Sequence, residues 1–82
     1  MPDTVVVTIQ WDGAWADFEL PAGKPLKGWE EPLKAAIRDN FRGIRLAGAD
    51  VVLSWNGISL PKDTVLGECG IFDGAVLELK LQ

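Results

Sequence analysis

Residues 4–21 read TVVVTIQWDGAWADFELP, and this stretch closes on itself in one register. Two runs rich in β-branched and aromatic residues flank Asp12-Gly13. That dipeptide suits a two-residue type I′ hairpin turn, whose central residues both need positive φ. Pairing outward from the turn sets Trp11 opposite Ala14, Ile9 opposite Ala16, Val7 opposite Phe18 and Val5 opposite Leu20. Between them fall Gln10 with Trp15, Thr8 with Asp17 and Val6 with Glu19. One register thus separates a nearly all-apolar face from a mostly polar one. A slip of one residue would exchange the faces, so a one-sided core selects this pairing.

Downstream, Pro21, Gly23 and Pro25 interrupt the strand pattern. Leu26, Trp29, Leu33, Ala36, Ile37 and Phe41 then recur at spacings of three and four, which predicts an amphipathic helix. Pro32 is tolerated only in the first helical turn, where its missing N–H has no partner to lose. Helix onset between Lys27 and Glu31 satisfies that condition, and Gly43 and Gly48 punctuate the exit. Residues 51–61, VVLSWNGISLP, predict a second hairpin turning at Asn56-Gly57. KDTVLGECGI reads as a short helical turn, and Asp73-Gly74 introduces a last strand. In that strand Leu77, Leu79 and Leu81 face one way and Val76, Glu78 and Lys80 the other.

The order hairpin, helix, short hairpin, turn, strand predicts an α+β fold: a mixed sheet of four to five strands packed on one amphipathic helix. The last strand is expected in a central place, parallel to the first, because the helix carries a crossover between the halves. This is the β-grasp arrangement.

At 82 residues the chain is expected to form one domain spanning 1–82. Hydrophobic residues make up 48% of it, which supplies a core without disulfides or metal. The lone Cys69 cannot form an internal bridge and points to a reducing compartment. The absence of histidine excludes imidazole catalysis and most zinc or haem sites. A net charge of −4 disfavours nucleic acid or anionic lipid as the main partner. No apolar run approaches the roughly 20 residues that cross a bilayer, and MPDTVVV lacks the basic region of a signal peptide. The expectation is a cytoplasmic acidic domain with no direct membrane insertion and no small-molecule substrate.

No catalytic constellation survives inspection. Glu30-Glu31 at a helix start complements the helix dipole better than it serves acid–base chemistry. Cys69 has no histidine or basic neighbour and reads as a buried structural thiol. The glycines of GECG lack the strand–loop–helix context of a phosphate site. Among the four tryptophans, Trp29 and Trp55 read as core and Trp11 as a cover over the sheet end. Trp15 alone faces outward, and it is the candidate partner contact; the competing reading is a lone surface aromatic. Val6, Val52 and Val76 also face outward and are read as adjacent across the sheet, rimmed by Ser54, Glu78 and Lys80. Three valines are small beside an interface core, so solvent-facing strand filler is the weightier reading unless Trp15 joins them.

The segment VVLSWNGISLPKDTVLGECGIFDGAVLELKL resembles the ubiquitin-like superfamily, through Leu53, Gly57, Leu60, Asp63, Thr64, Leu66, Gly70 and Ile71 ahead of an alternating closing strand. Within it, DFELPAGKPLKGWEEPLKAAI is similar to the small YukD-type proteins of bacterial type VII secretion and to the ubiquitin-like N-terminal domain of the membrane component EccD. Leu20, Pro21, Pro25, Pro32 and Leu33 carry that similarity. It implies a non-enzymatic interaction module without cofactor, whose protein partner is a component of the secretion machinery.

The chain ends Lys80-Leu81-Gln82 with no glycine after Gly74. Conjugated modifiers and sulfur carriers of this superfamily act through a Gly-Gly tail, so the expectation is a non-conjugable domain. Ubiquitin's apolar recognition patch corresponds by alignment to outward positions Ser54, Glu78 and Lys80, none a bulky aliphatic, and ubiquitin receptors are not expected to bind. The alternative is a small ubiquitin-like structural subunit of a multicomponent bacterial enzyme such as a monooxygenase.

Overall fold

The computed structural model describes residues 3–82; Met1 and Pro2, counted in the expected single domain, lie outside the described residues. Strands β1 (Thr4–Trp11) and β2 (Ala14–Pro21) are followed by a 3-10 turn at Leu26–Gly28 and helix α1 (Glu30–Asn40). Strands β3 (Val51–Trp55) and β4 (Ile58–Ser59), a 3-10 turn at Leu66–Glu68 and strand β5 (Val76–Leu81) complete the order. The five strands form one mixed sheet, β2-β1-β5-β3-β4. This is the ubiquitin-like β-grasp fold. The central pair β1–β5 is parallel, with Ile9 beside Leu77, and every other pair is antiparallel.

All seven predicted pairs of the first hairpin are present, from Trp11–Ala14 to Val5–Leu20. Both hairpin turns have the expected chemistry: Asp12 and Gly13 lie at φ 48° and 79°, Asn56 and Gly57 at 53° and 80°. Such angles strain most side chains, whereas glycine and the short Asx residues tolerate them.

The helix enters through Leu26 and Trp29, both buried. Pro32 is the third residue of α1, within the turn whose N–H groups have no intrahelical partner. The Trp29 indole Nε1–H donates to the Lys24 carbonyl at 3.0 Å, so the buried ring leaves no polar atom unsatisfied. Leu33 and Ile37 continue the stripe onto the core face of the sheet, against Val5, Val7, Ile9, Leu53, Leu77 and Leu79. Phe41 closes the stripe, its ring centroid 6.0 Å from those of both Trp11 and Phe18.

The segment before α1 is stitched to the segment after β4. Leu26 N–H donates to Thr64 O at 3.0 Å, Lys27 N–H to Lys62 O at 2.9 Å and Gly67 N–H to Ala22 O at 2.9 Å. The last approach needs glycine, since a Cβ at Gly67 would lie 2.9 Å from Ala22 O. Lys62 Nζ adds a side-chain clasp, donating to Asp50 Oδ1 and to Val51 O at 3.0 Å each and standing 3.4 Å from Glu30 Oε1.

Cys69 departs from expectation: it is exposed rather than buried. Leu66 and Ile71 fill the core on either side of it. The thiol instead turns back along the 3-10 turn, Sγ lying 3.4 Å from Leu66 O. Among the described residues no helix is long and apolar enough to cross a membrane.

Candidate interaction surface

Helix α1 covers one face of the sheet and leaves the other open. On the open face the strand pairings line residues up in rungs. Trp15 pairs with Gln10, Gln10 with Glu78, Glu78 with Ser54 and Ser54 with Ser59, so one rung crosses all five strands. The neighbouring rung runs Asp17, Thr8, Val76. On the far side Lys80 pairs with Val52.

Trp15 stands at the β2 end of the central rung with 69% of its surface exposed. Beside it Gln10, Glu78, Lys80 and the Asp12–Ala14 turn surround an open recess of about 360 Å³. Toward the next rung the Thr8 hydroxyl donates to Asp17 Oδ1 at 2.6 Å, which fixes that carboxylate over the hairpin. The structure therefore joins three of the expected contact residues, Trp15, Glu78 and Lys80, around one concavity. An indole offers a large apolar area on only two rotatable bonds, and an adjacent carboxylate and ammonium orient whatever covers it.

Two expectations are corrected here. Ser54 occupies the outer rung as its alternation requires, yet it is 2% exposed. Its side chain is short and sits between register partners on both flanking strands, Glu78 and Ser59. It is part of the floor and is not available as a contact. Nor do the three valines form one strip. Val6 and Val76 are exposed diagonal neighbours, because Val76 pairs with Thr8, two residues beyond Val6. Val52 pairs with Lys80, four residues along β5 from Val76, a separation of about 13 Å at the usual strand rise. It is also only half-exposed.

Two exposed apolar side chains lie outside the expected set. Phe72, 61% exposed, precedes the Asp73 whose carboxylate binds the Val6 backbone, so it borders the Val6–Val76 end of the sheet. Ile58 lies on the short edge strand β4 and is 69% exposed. The outward side of the alternation could not signal either, since Phe72 is in a loop and Ile58 pairs with the core-side Trp55.

Among the described residues no group of three or more His, Cys, Asp or Glu converges as a metal site would require. The charged groups of the open face, Asp17, Glu19, Glu78 and Lys80, are exposed. The arrangement suits recognition of another protein surface.

No protein-family model and no curated protein matches the chain. Similarity to solved structures is extensive in coverage and low in identity. A chain of the MycP5-free ESX-5 inner membrane complex (State II) superposes with a TM-score of 0.81 and 22% identity, covering 99% of this chain and 21% of that one. The present sequence thus spans about a fifth of that chain. The ubiquitin-like domain of the Mycobacterium tuberculosis type VII secretion system protein ECCD1 superposes with a TM-score of 0.71 and 26% identity, covering 93% of this chain and 96% of the domain. The EccD5 ubiquitin-like domain from Mycobacterium xenopi gives 0.73 and 23%, covering 99% and 97%. The solved structures similar to this chain therefore include ubiquitin-like domains of type VII secretion proteins.

Proposed function

We propose that this chain is a ubiquitin-like protein-interaction module of a bacterial type VII secretion system, an accessory or regulatory part that docks on a component of the secretion machinery from the cytoplasmic side. The observation that carries this reading is the likeness to the ECCD1 ubiquitin-like domain, which extends over nearly the full length of both. The open sheet face supplies the contact. Trp15 is the anchor that enters a pocket of the partner, and Glu78 and Lys80 set its orientation. A sheet already rigid before binding loses little conformational freedom, so the exposed indole converts efficiently into affinity. The module acts without cofactor, substrate or catalytic residue.

Affinity capture from the source organism, with detergent-solubilised membrane included and with Trp15→Ala as control, tests the proposal. The expected result is recovery of a type VII secretion component that the variant fails to retain, with a loss of about 2–3 kcal/mol of binding energy, the scale of a tryptophan hot spot. Recovery of oxygenase subunits in fixed stoichiometry would replace this reading with that of a structural enzyme subunit.

A further inference from the structure

Strand β2 is the outermost strand of the sheet, eight residues long and uncovered along one side. On β1, Val6 and Thr8 direct their backbone groups at the β5 side: Gly74 N–H donates to Val6 O at 2.8 Å and Thr8 N–H to Ala75 O at 2.9 Å. In an antiparallel ladder the residues opposite them must then direct their own groups away from β1. Those residues are Glu19 and Asp17, and the same alternation includes Trp15. The free side of β2 thus presents three N–H donors and three carbonyl acceptors at two-residue intervals. Pro21, with no N–H, ends the series. The opposite edge of the sheet, β4, has only two residues and offers no comparable template.

Alongside this edge, between β2 and α1, runs an apolar groove of about 370 Å³ floored by Phe18, Leu20, Trp29, Pro32, Leu33 and Ala36. A strand added to β2 would lay every second side chain into that groove and the intervening ones on the open face. There they would meet the Asp17 and Glu19 carboxylates, and no cation lines the groove. The same charges oppose pairing with a second copy of this chain. Antiparallel β2–β2 registers centred on Asp17, or between Asp17 and Glu19, set carboxylate against carboxylate.

We propose that the β2 edge and the β2–α1 groove receive an extended segment of a partner protein in which apolar residues alternate with lysine or arginine, added as a sixth strand. The backbone ladder supplies the affinity, the groove selects the apolar positions, and the two carboxylates select the basic ones. This site meets the recess around Glu78 and Lys80 only at Trp15; Asp17, Glu19 and the groove lie outside that recess, and the proposal does not depend on the secretion reading.

The test is titration of the whole chain with a short synthetic peptide that alternates lysine with valine or isoleucine, followed by amide NMR. The expected result is perturbation and slowed hydrogen exchange at the amides of Trp15, Asp17 and Glu19. Glu19→Lys, an exposed change that leaves the fold intact, is expected to weaken binding about tenfold. N-methylation of alternate peptide residues on the β2-facing register is expected to abolish binding. The proposal is overturned if the peptide does not bind at millimolar concentration, or if shifts map to the recess around Glu78 and Lys80. Equal binding of a glutamate-for-lysine peptide, or of one with the same residues in block order, also overturns it. Amide shifts at β2 that depend on protein concentration without peptide would assign the edge to a second copy instead.

Discussion

The Asp73 carboxylate accepts a hydrogen bond from the Val6 backbone N–H at 2.8 Å, joining groups 67 residues apart in the chain. It continues the β1–β5 seam past the first residue of β5, at a point where no strand backbone is available to do so. A charge-assisted bond of this kind contributes on the order of 1 kcal/mol at an exposed site. Asp73→Ala is therefore expected to lower the urea midpoint by about 1 M, given a slope near 1 kcal/mol/M for so small a domain. Asp73→Asn, which keeps an acceptor oxygen, is expected to recover most of the loss. Amide exchange at Val6 should report the same order of variants.

Lys62 predicts a pH dependence. Burial opposes its charge and is the largest single influence, but hydrogen bonds and charge from Asp50 and Glu30 together outweigh it, so its pKa is raised above the ordinary 10.5. A group with a raised folded pKa contributes its full stability below the unfolded value and loses it as pH rises through the folded one. The clasp is thus expected to be constant through neutral pH and to fade above about pH 10.5. Lys62→Met should cost about 1 kcal/mol at pH 7, a figure discounted for the partial exposure of the ammonium. The gap between the two proteins in thermal unfolding should narrow as the pH is taken from 9 to above 11.

Ser54 carries a hydroxyl with no protein hydrogen-bond partner among the described residues, in a side chain that is almost fully covered. Removing a desolvated and unpaired polar atom relieves a penalty of about 1 kcal/mol. Ser54→Ala is expected to raise the unfolding midpoint by an amount of that order and to leave partner binding unchanged. Loss of binding in this variant would return Ser54 to the contact set.

Among the described residues Phe41 is the largest of the almost fully buried side chains. It is 2% exposed and contacts Trp11 and Phe18, which come from opposite sides of the first hairpin. Phe41→Ala is expected to cost about 3–4 kcal/mol through lost burial and the cavity left behind. That is a large share of the stability of a domain this small. Chemical denaturation should show the urea midpoint falling by about 3 M, with Phe41→Leu retaining more than half of the difference.

Residues whose fate depends on local chemistry were legible in the sequence. Asp12-Gly13 determines the register of the first hairpin because two left-handed residues admit few other loops, and with it the outward placement of Trp15. The stripe from Leu26 to Phe41 revealed the helix and its core face together. Alternation gives the face of a residue but not its depth, which is why Ser54 reads as a surface position while lying beneath its neighbours. The distance of Val52 from Val76 depends on the β3–β5 register, which no two-residue turn links, so sequence spacing could not supply it. The lack of a histidine or basic neighbour spoke for a covered, structural Cys69, yet Leu66 and Ile71 fill the core on either side of it and the thiol is left exposed. The β2–α1 groove arises between elements that meet only after folding, and neither one shows it alone.

The place of β5 between β1 and β3 has a consequence for the order of synthesis. A nascent chain emerging from the ribosome can close its first hairpin early, but the inner side of β1 stays unpaired until residues 76–81 arrive. At translation speeds that interval lasts on the order of several seconds. During it the apolar stripe of α1 has half a sheet to cover. The two halves of the chain are therefore not separable sheets: each lacks the central strand that the other provides, and the sheet is complete only when the final strand enters the gap held open for it.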